Sequence, residues 1–336
     1  MNGFPASRAA TLVIAALAWA LLLPVAAPGH DGFDEFDRNG ETERGNPPAL
    51  FRDDLTAPDT LGVGRVARDV AEHLPELQAM ADHLAASLPA LGFARARPVI
   101  ARDNAEMIDF LRRGIVDLVS ETPLSAVHFV KEGGAAILLR ERRGGRASYS
   151  SVVFARADSA VRSLADLRGR RIAFEDPGST TAFLLPLAAI RRGGGRAVPL
   201  ESAAAAAPED AAGYFFVRSE ASILTAVLRR LADAGAVSDD DWRSFRSKQP
   251  GAAAELKLIH ESEKVPRAFL LGGPALTAAQ RESLRTILLG MQEDGPGSAV
   301  LQRYQDVDGF DALDAGLARE IQDLDPTYAL LREELH

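Results

Sequence analysis

The chain has 336 residues, 47% of them hydrophobic and 25% charged, which suits two domains of roughly 100–150 residues and excludes wholesale disorder. It has no cysteine, so thiol catalysis, disulfides and Cys-ligated metals are ruled out. Its 38 basic and 47 acidic residues give a net charge of −9, against any general affinity for nucleic acid or anionic membrane.

Arg8 followed by an apolar run from Ala9 to Ala27 has the grammar of a secretory leader, so residues 1–29 are expected to form a signal peptide or an uncleaved anchor. Residues 30–59 follow as an acidic linker, with nine acidic side chains against three basic ones.

From Thr60 onward, short apolar runs alternate with amphipathic segments, the pattern of α/β sheets covered by helices. Thr60 to Val63 reads as a strand, 68–91 as one helix, Arg97 to Ala101 as a strand, and Asn104 to Gly114 as a helix and its stop. Ile115 to Val119 is a third strand, followed by Ala135 to Leu139 and a charged turn at Arg140 to Arg146. A second unit begins near the strand Tyr149 to Ala155. It continues with a short turn at Ser163 to Leu167, strand Arg171 to Phe174 and helix Thr181 to Arg192, which Gly193 to Gly195 ends. Strands at Arg196 to Leu200, Tyr214 to Val217 and Leu256 to His260, and helices at Ala221 to Ala232, Thr277 to Gly290 and Gly297 to Tyr304, complete the reading.

No phosphate-loop, dinucleotide, zinc-protease or serine-hydrolase motif is present, and the six histidines lack metal-ligand spacing, so neither a catalytic residue, a metal nor a cofactor is expected. The informative stretch is Arg171 to Pro186: a strand, a Gly turn, then Ser179-Thr180-Thr181 opening an apolar helix. Unpaired N–H groups at the positive end of a helix, with hydroxyls beside them, can coordinate a small tetrahedral oxyanion; the bland alternative is a simple N-cap.

Residues 117–186 resemble the phosphate-, phosphite- and phosphonate-binding proteins of ABC transporters. The wording Asp117 to Ala126, Val152 to Ser159, Leu164 to Arg170 and the Ser-Thr-Thr turn occurs in the family's order. Ala232 to Ala236 before Asp240-Asp241-Trp242, and Val265-Pro266-Arg267, extend the likeness to about Thr60–Phe310. The resemblance implies a type II periplasmic-binding-protein fold, in which two doubly wound α/β lobes are joined by a two-strand hinge with ligand in the cleft. Lobe 1 would comprise residues 60–147 and 261–336, and lobe 2 residues 148–260. It further implies that Ser179, Thr180 and Thr181 hold a phosphorus oxyanion, with Asp240 nearby.

Glu220 and Glu121 stand where relatives carry other residues, Glu121 followed by Thr122, and a carboxylate there suits a protonated oxyanion or an ammonium on the ligand. Tyr149 lies at the expected lobe crossing. The expected partners are a small oxyanion and an inner-membrane ABC permease, served by an exported monomer; a sensor kinase, or a sulfonate or other oxyanion as ligand, is the alternative. A hydrolase using Glu121, Glu220 or Asp240 lacks a nucleophile paired with a base.

Overall fold

The computed structural model describes residues 59–335. The expected leader and almost all of the expected linker fall in residues 1–58, outside the described residues. The strands in chain order are β1 Thr60–Val66, β2 Arg95–Ala101, β3 Leu118–Glu121, β4 Ala136–Arg143, β5 Ser148–Tyr149, β6 Ser151–Arg156 and β7 Arg171–Phe174. They continue with β8 Ala197–Pro199, β9 Ala212–Phe216, β10 Ala234–Ser238, β11 Leu256–Glu261, β12 Val265–Pro266, β13 Ala268–Gly272 and β14 Val307–Ala312.

They build two six-stranded sheets, ordered β14-β4-β13-β3-β1-β2 and β11-β6-β10-β7-β9-β8. In the first, β1 runs parallel to β2 and β3, while β13 is antiparallel to β3 and β4. In the second, β7 is parallel to β9 and β10, and β6 is antiparallel to β10 and β11. Each sheet with its helices forms a lobe. Between the lobes the chain crosses twice, and the crossings pair as an antiparallel two-stranded ribbon, Val265 opposite Tyr149 and Pro266 opposite Ser148.

Several elements differ from the sequence reading, each for a local reason. The helix expected over 68–91 is Val70–Ala85, capped by Asp69, which accepts the Glu72 N–H; a separate turn, Leu88–Leu91, follows. Pro89 lacks an N–H and so begins a new helix rather than continuing the old one. The strand expected at Ile115 to Val119 is shifted to Leu118–Glu121, because Asp117 is spent on a side-chain contact: its buried carboxylate accepts the Gly62 N–H at 2.9 Å. The charged segment after Leu139 is not a turn until Gly144. Strand β4 runs through Arg143, its arginines satisfied by Asp311 and Glu141 on either side.

The helix expected at Thr181 to Arg192 opens with a π-type turn, Thr180–Leu184, before the regular helix Leu185–Arg192. Pro186 has no N–H to offer the carbonyl of Ala182, and that carbonyl accepts from Glu175 instead, at 3.3 Å. The helix Pro123–Gly133 and the strand β10 have no periodicity that singles them out, and the one-faced helix Asp239–Lys248 and the strand β14 lie outside the elements expected from the sequence. One apolar cluster joins residues of both lobes, Phe129 and Val119 with Phe174 and Leu187, to Tyr328 and Leu331 near the C-terminus.

Candidate functional site

Parallel strands deliver the following helices with their N-termini at one edge of each sheet, and the two edges face each other. The result is a cavity of about 1350 Å³ between the lobes. Six helix N-caps line it: Asp69, Asp103 and Thr122 from the first lobe, Ser179, Ser219 and Ser238 from the second. Converging N-termini present the positive ends of their dipoles, each favouring an anion by about 0.3–1 kcal/mol.

Of the residues expected at the site, Glu121, Thr122, Tyr149, Ser179, Thr181 and Glu220 line this cavity, whereas Thr180 and Asp240 do not. Thr180 is fully buried, its Oγ1 accepting the Leu124 N–H at 3.2 Å. With Ser125 Oγ donating to the Gly178 carbonyl at 3.1 Å, it ties the floor of the cleft across the lobes. Asp240 is held by arginines at the crossing: it accepts from Arg146 at 2.8 Å and from Arg243, with Arg267 at 3.7 Å. Its neighbour Asp241 is the carboxylate that faces the cavity, and it accepts the Ser238 hydroxyl.

Tyr149 lines the cavity with a buried hydroxyl. It is only 2% exposed, its ring lies under the Arg267 guanidinium at 4.5 Å, and burial pushes its phenol up to about 12. Its hydroxyl sits near Thr180 but has no partner in hydrogen-bonding geometry among the described residues. A buried, unpaired hydroxyl costs about 1–3 kcal/mol, so its retention at a cavity wall calls for an acceptor from outside. Ser179 Oγ caps its helix through the Ala182 N–H at 3.1 Å, and no side-chain partner of Thr181 is seen among the described residues.

The cavity wall mixes arginines (Arg65, Arg68, Arg102, Arg143, Arg218, Arg267) with carboxyl groups, of which Glu121, Glu175, Asp176 and Glu220 are held toward their neutral forms by burial. Glu121 is pushed up to about 7 by burial, opposed by the Thr122 N–H, which donates to it at 2.6 Å. Glu175 is pushed up to about 9, by burial first and then by the charges of Glu220 and Asp176. Glu220 is raised by burial and by Asp241, and it shares a hydrogen bond with Glu175, which two carboxyls can form only if one holds a proton. Neutral carboxyls donate hydrogen bonds, so this wall offers hydroxyls, N–H groups and acid protons to an anion.

Glu175, Asp176, Arg68, Arg218, Arg267 and Asp241 escaped the sequence reading as site residues. The available signal, for all but Arg267, was their position just past the ends of β1, β7, β9 and β10, where a parallel sheet puts its ligands; Arg267 follows β12 of the antiparallel crossing.

The family description "ABC transporter, phosphonate, periplasmic substrate-binding protein" matches residues 68–316. The chain belongs to that family. The phosphate-import protein PhnD of Mycolicibacterium smegmatis is 25% identical over 236 residues, 68% of this chain and 71% of the relative. XAC2383 of Xanthomonas citri, solved with chloride, is 32% identical with a TM-score of 0.78, covering 82% of this chain and 99% of that one. Its ATP-bound form gives a TM-score of 0.77 at 30% identity, covering 83% of this chain and 100% of that one. PhnD1 of Prochlorococcus marinus, in complex with methylphosphonate, is similar in fold, with a TM-score of 0.61 at 15% identity over 82% of this chain and 99% of that one. Members of the family bind substrate for ABC importers in the periplasm, and among the described residues no helix is long and apolar enough to cross a membrane.

Proposed function

We propose that the cleft holds the oxyanion of a phosphonate, phosphite or phosphate against Ser179, Thr181 and Tyr149, and that the protein delivers it to an ABC permease without acting on it chemically. The observation that carries this reading is the buried, unpartnered Tyr149 hydroxyl at a wall where six helix N-termini converge. Thr122, Glu121 and Glu220 complete the ligand shell, while Thr180 and Asp240 act behind it, on the cleft floor and the crossing. Residues 60–147 with 261–336 and residues 148–260 are the lobes that close on it, and the leader in residues 1–29 exports it as a monomer. The anions bound to XAC2383, chloride and ATP, support an anion-selective cleft. Family membership supports a permease rather than a sensor kinase as partner.

The test is a thermal-shift screen of protein unfolded and refolded to strip carried-over ligand, against phosphate, phosphite, methyl- and aminoethylphosphonate, sulfate and taurine. A micromolar ligand at millimolar concentration stabilises the folded state by about 4 kcal/mol. A shift with a phosphorus oxyanion that Thr181→Ala abolishes is the expected result; none with any phosphorus compound overturns the reading.

A further inference from the structure

The cavity is larger than an oxyanion seat. Its volume of about 1350 Å³ exceeds the roughly 300–1,000 Å³ of pockets that enclose drug-sized ligands. Ser179, Thr181 and Tyr149 form only a small part of its lining.

The remaining wall has its own chemistry. Phe216, at the end of β9, lines the cavity and is 37% exposed. Its ring is held by two others, Phe183 at 5.0 Å and 76° and Tyr214 at 5.7 Å and 69°. Phe183 belongs to the turn that Ser179 caps, so the ring cluster that holds Phe216 is built on the same element as the oxyanion seat. From the first lobe, Val70 also lines the cavity and is 48% exposed. Arg68 of the first lobe and Arg218 of the second line it too; Arg68 acts on the Asp176 carboxylate only from a distance, and neither makes a side-chain hydrogen bond or close ion pair among the described residues. Arg218 sits at φ +69°, a costly conformation for a residue with a Cβ, directly after the strand that carries Phe216.

Resting on the oxyanion reading above, we infer that the ligand carries a planar aromatic or heteroaromatic group joined to its phosphorus oxyanion, and that this group stacks on Phe216 with the guanidinium groups of Arg68 and Arg218 at its rim. A fixed aromatic face accepts any π system in offset or edge contact. Guanidinium planes stack on such rings as well, and unpaired ones lose no existing ion pair in doing so. An aliphatic ligand would use the apolar area of Phe216 but neither of these.

Calorimetric titration with methyl-, cyclohexyl- and phenylphosphonate separates the contributions, because the three share a headgroup and charge. Phenylphosphonate is expected to bind at least tenfold tighter than methylphosphonate and at least threefold tighter than cyclohexylphosphonate. Phe216→Ala should remove the phenyl advantage and leave the methylphosphonate Kd within twofold. Phe216→Leu, which keeps apolar volume without the ring, should also remove the advantage over cyclohexylphosphonate and serves if the alanine variant fails to fold. Equal binding of phenyl- and methylphosphonate overturns the inference and leaves the oxyanion reading intact, as does equal binding of phenyl- and cyclohexylphosphonate. Binding of none of the three overturns the inference, and overturns the oxyanion reading too if phosphate and phosphite also fail to bind.

Discussion

Tyr149 separates stability from function at a single atom. Its hydroxyl contributes no hydrogen bond to the fold among the described residues, so Tyr149→Phe should leave thermal stability unchanged or raise it by up to about 1 kcal/mol. The same change should weaken binding of the proposed oxyanion about tenfold, the equivalent of about 1.4 kcal/mol. Melting curves and calorimetry on one preparation check both halves, and a variant that melts earlier but binds normally would make the hydroxyl structural. The acidic side chains give a second test. Glu121 and Glu175 are raised to about 7 and about 9, so both become anionic as pH rises through those values and then repel an oxyanion. Affinity should therefore fall between pH 6 and 9, and Glu175→Gln should flatten the upper part of that fall. Stability follows the same sign. The folded protein holds protons that the unfolded chain has released, so this contribution is complete below about pH 4.5 and is lost as pH rises through about 7 and then about 9.

Among the elements, β1 shows how a strand legible in sequence conceals the reason for one of its residues. A Cβ on Gly62 would lie 2.0 Å from the Ile115 carbonyl oxygen, and backbone there has no side-chain freedom to yield. Gly62→Ala is expected to cost about 1–3 kcal/mol or more, measured by denaturant titration; a neutral result would mean that the Ile115 segment moves freely. The amphipathic helices and short apolar runs were readable because burial on one face imposes a period. The helix Pro123–Gly133 was not, since residues from Pro123 to Phe129 are buried on every side and no period survives. Strand β10, Ala-Gly-Ala-Val-Ser, is equally uninformative: its small residues make room for others, Ile223 lying 2.4 Å from where a Cβ on Gly235 would be.

For the whole molecule, the question is how far the lobes can move. The paired crossing β5–β12 is a natural hinge, and the C-terminal helix Asp325–Leu331 binds both lobes. Lys131 pairs with Asp325 at 2.8 Å on one side, while Arg191 reaches the Leu330 carbonyl at 3.0 Å on the other. Tyr328 packs between them, 4% exposed and 3.2 Å from His128 Nδ1. Tyr328→Ala should cost about 3 kcal/mol by analogy with other buried aromatic truncations, read from thermal or denaturant unfolding. Closure on ligand predicts a smaller radius of gyration by solution scattering at saturation. An unchanged radius with a tight ligand would show that the strap and shared core hold the lobes fixed.

The sequence by itself determined the two-sheet α/β class, the hydroxyl-rich helix start at Ser179 and the family, because local periodicity, capping chemistry and motif order all lie along the chain. Only the tertiary structure decided which side chains meet. Thr180 turns into the floor while its neighbours Ser179 and Thr181 line the cavity, since successive helical positions point in different directions. Asp241 rather than Asp240 faces the cleft for the same reason of helical phase. Glu175 and Glu220 come together, each adding negative charge to the other's neighbourhood, because β7 and β9 pair with Phe174 opposite Phe216, which sets the residues after both strand ends side by side. That register is fixed by burial of whole strands, a quantity no local stretch of sequence contains.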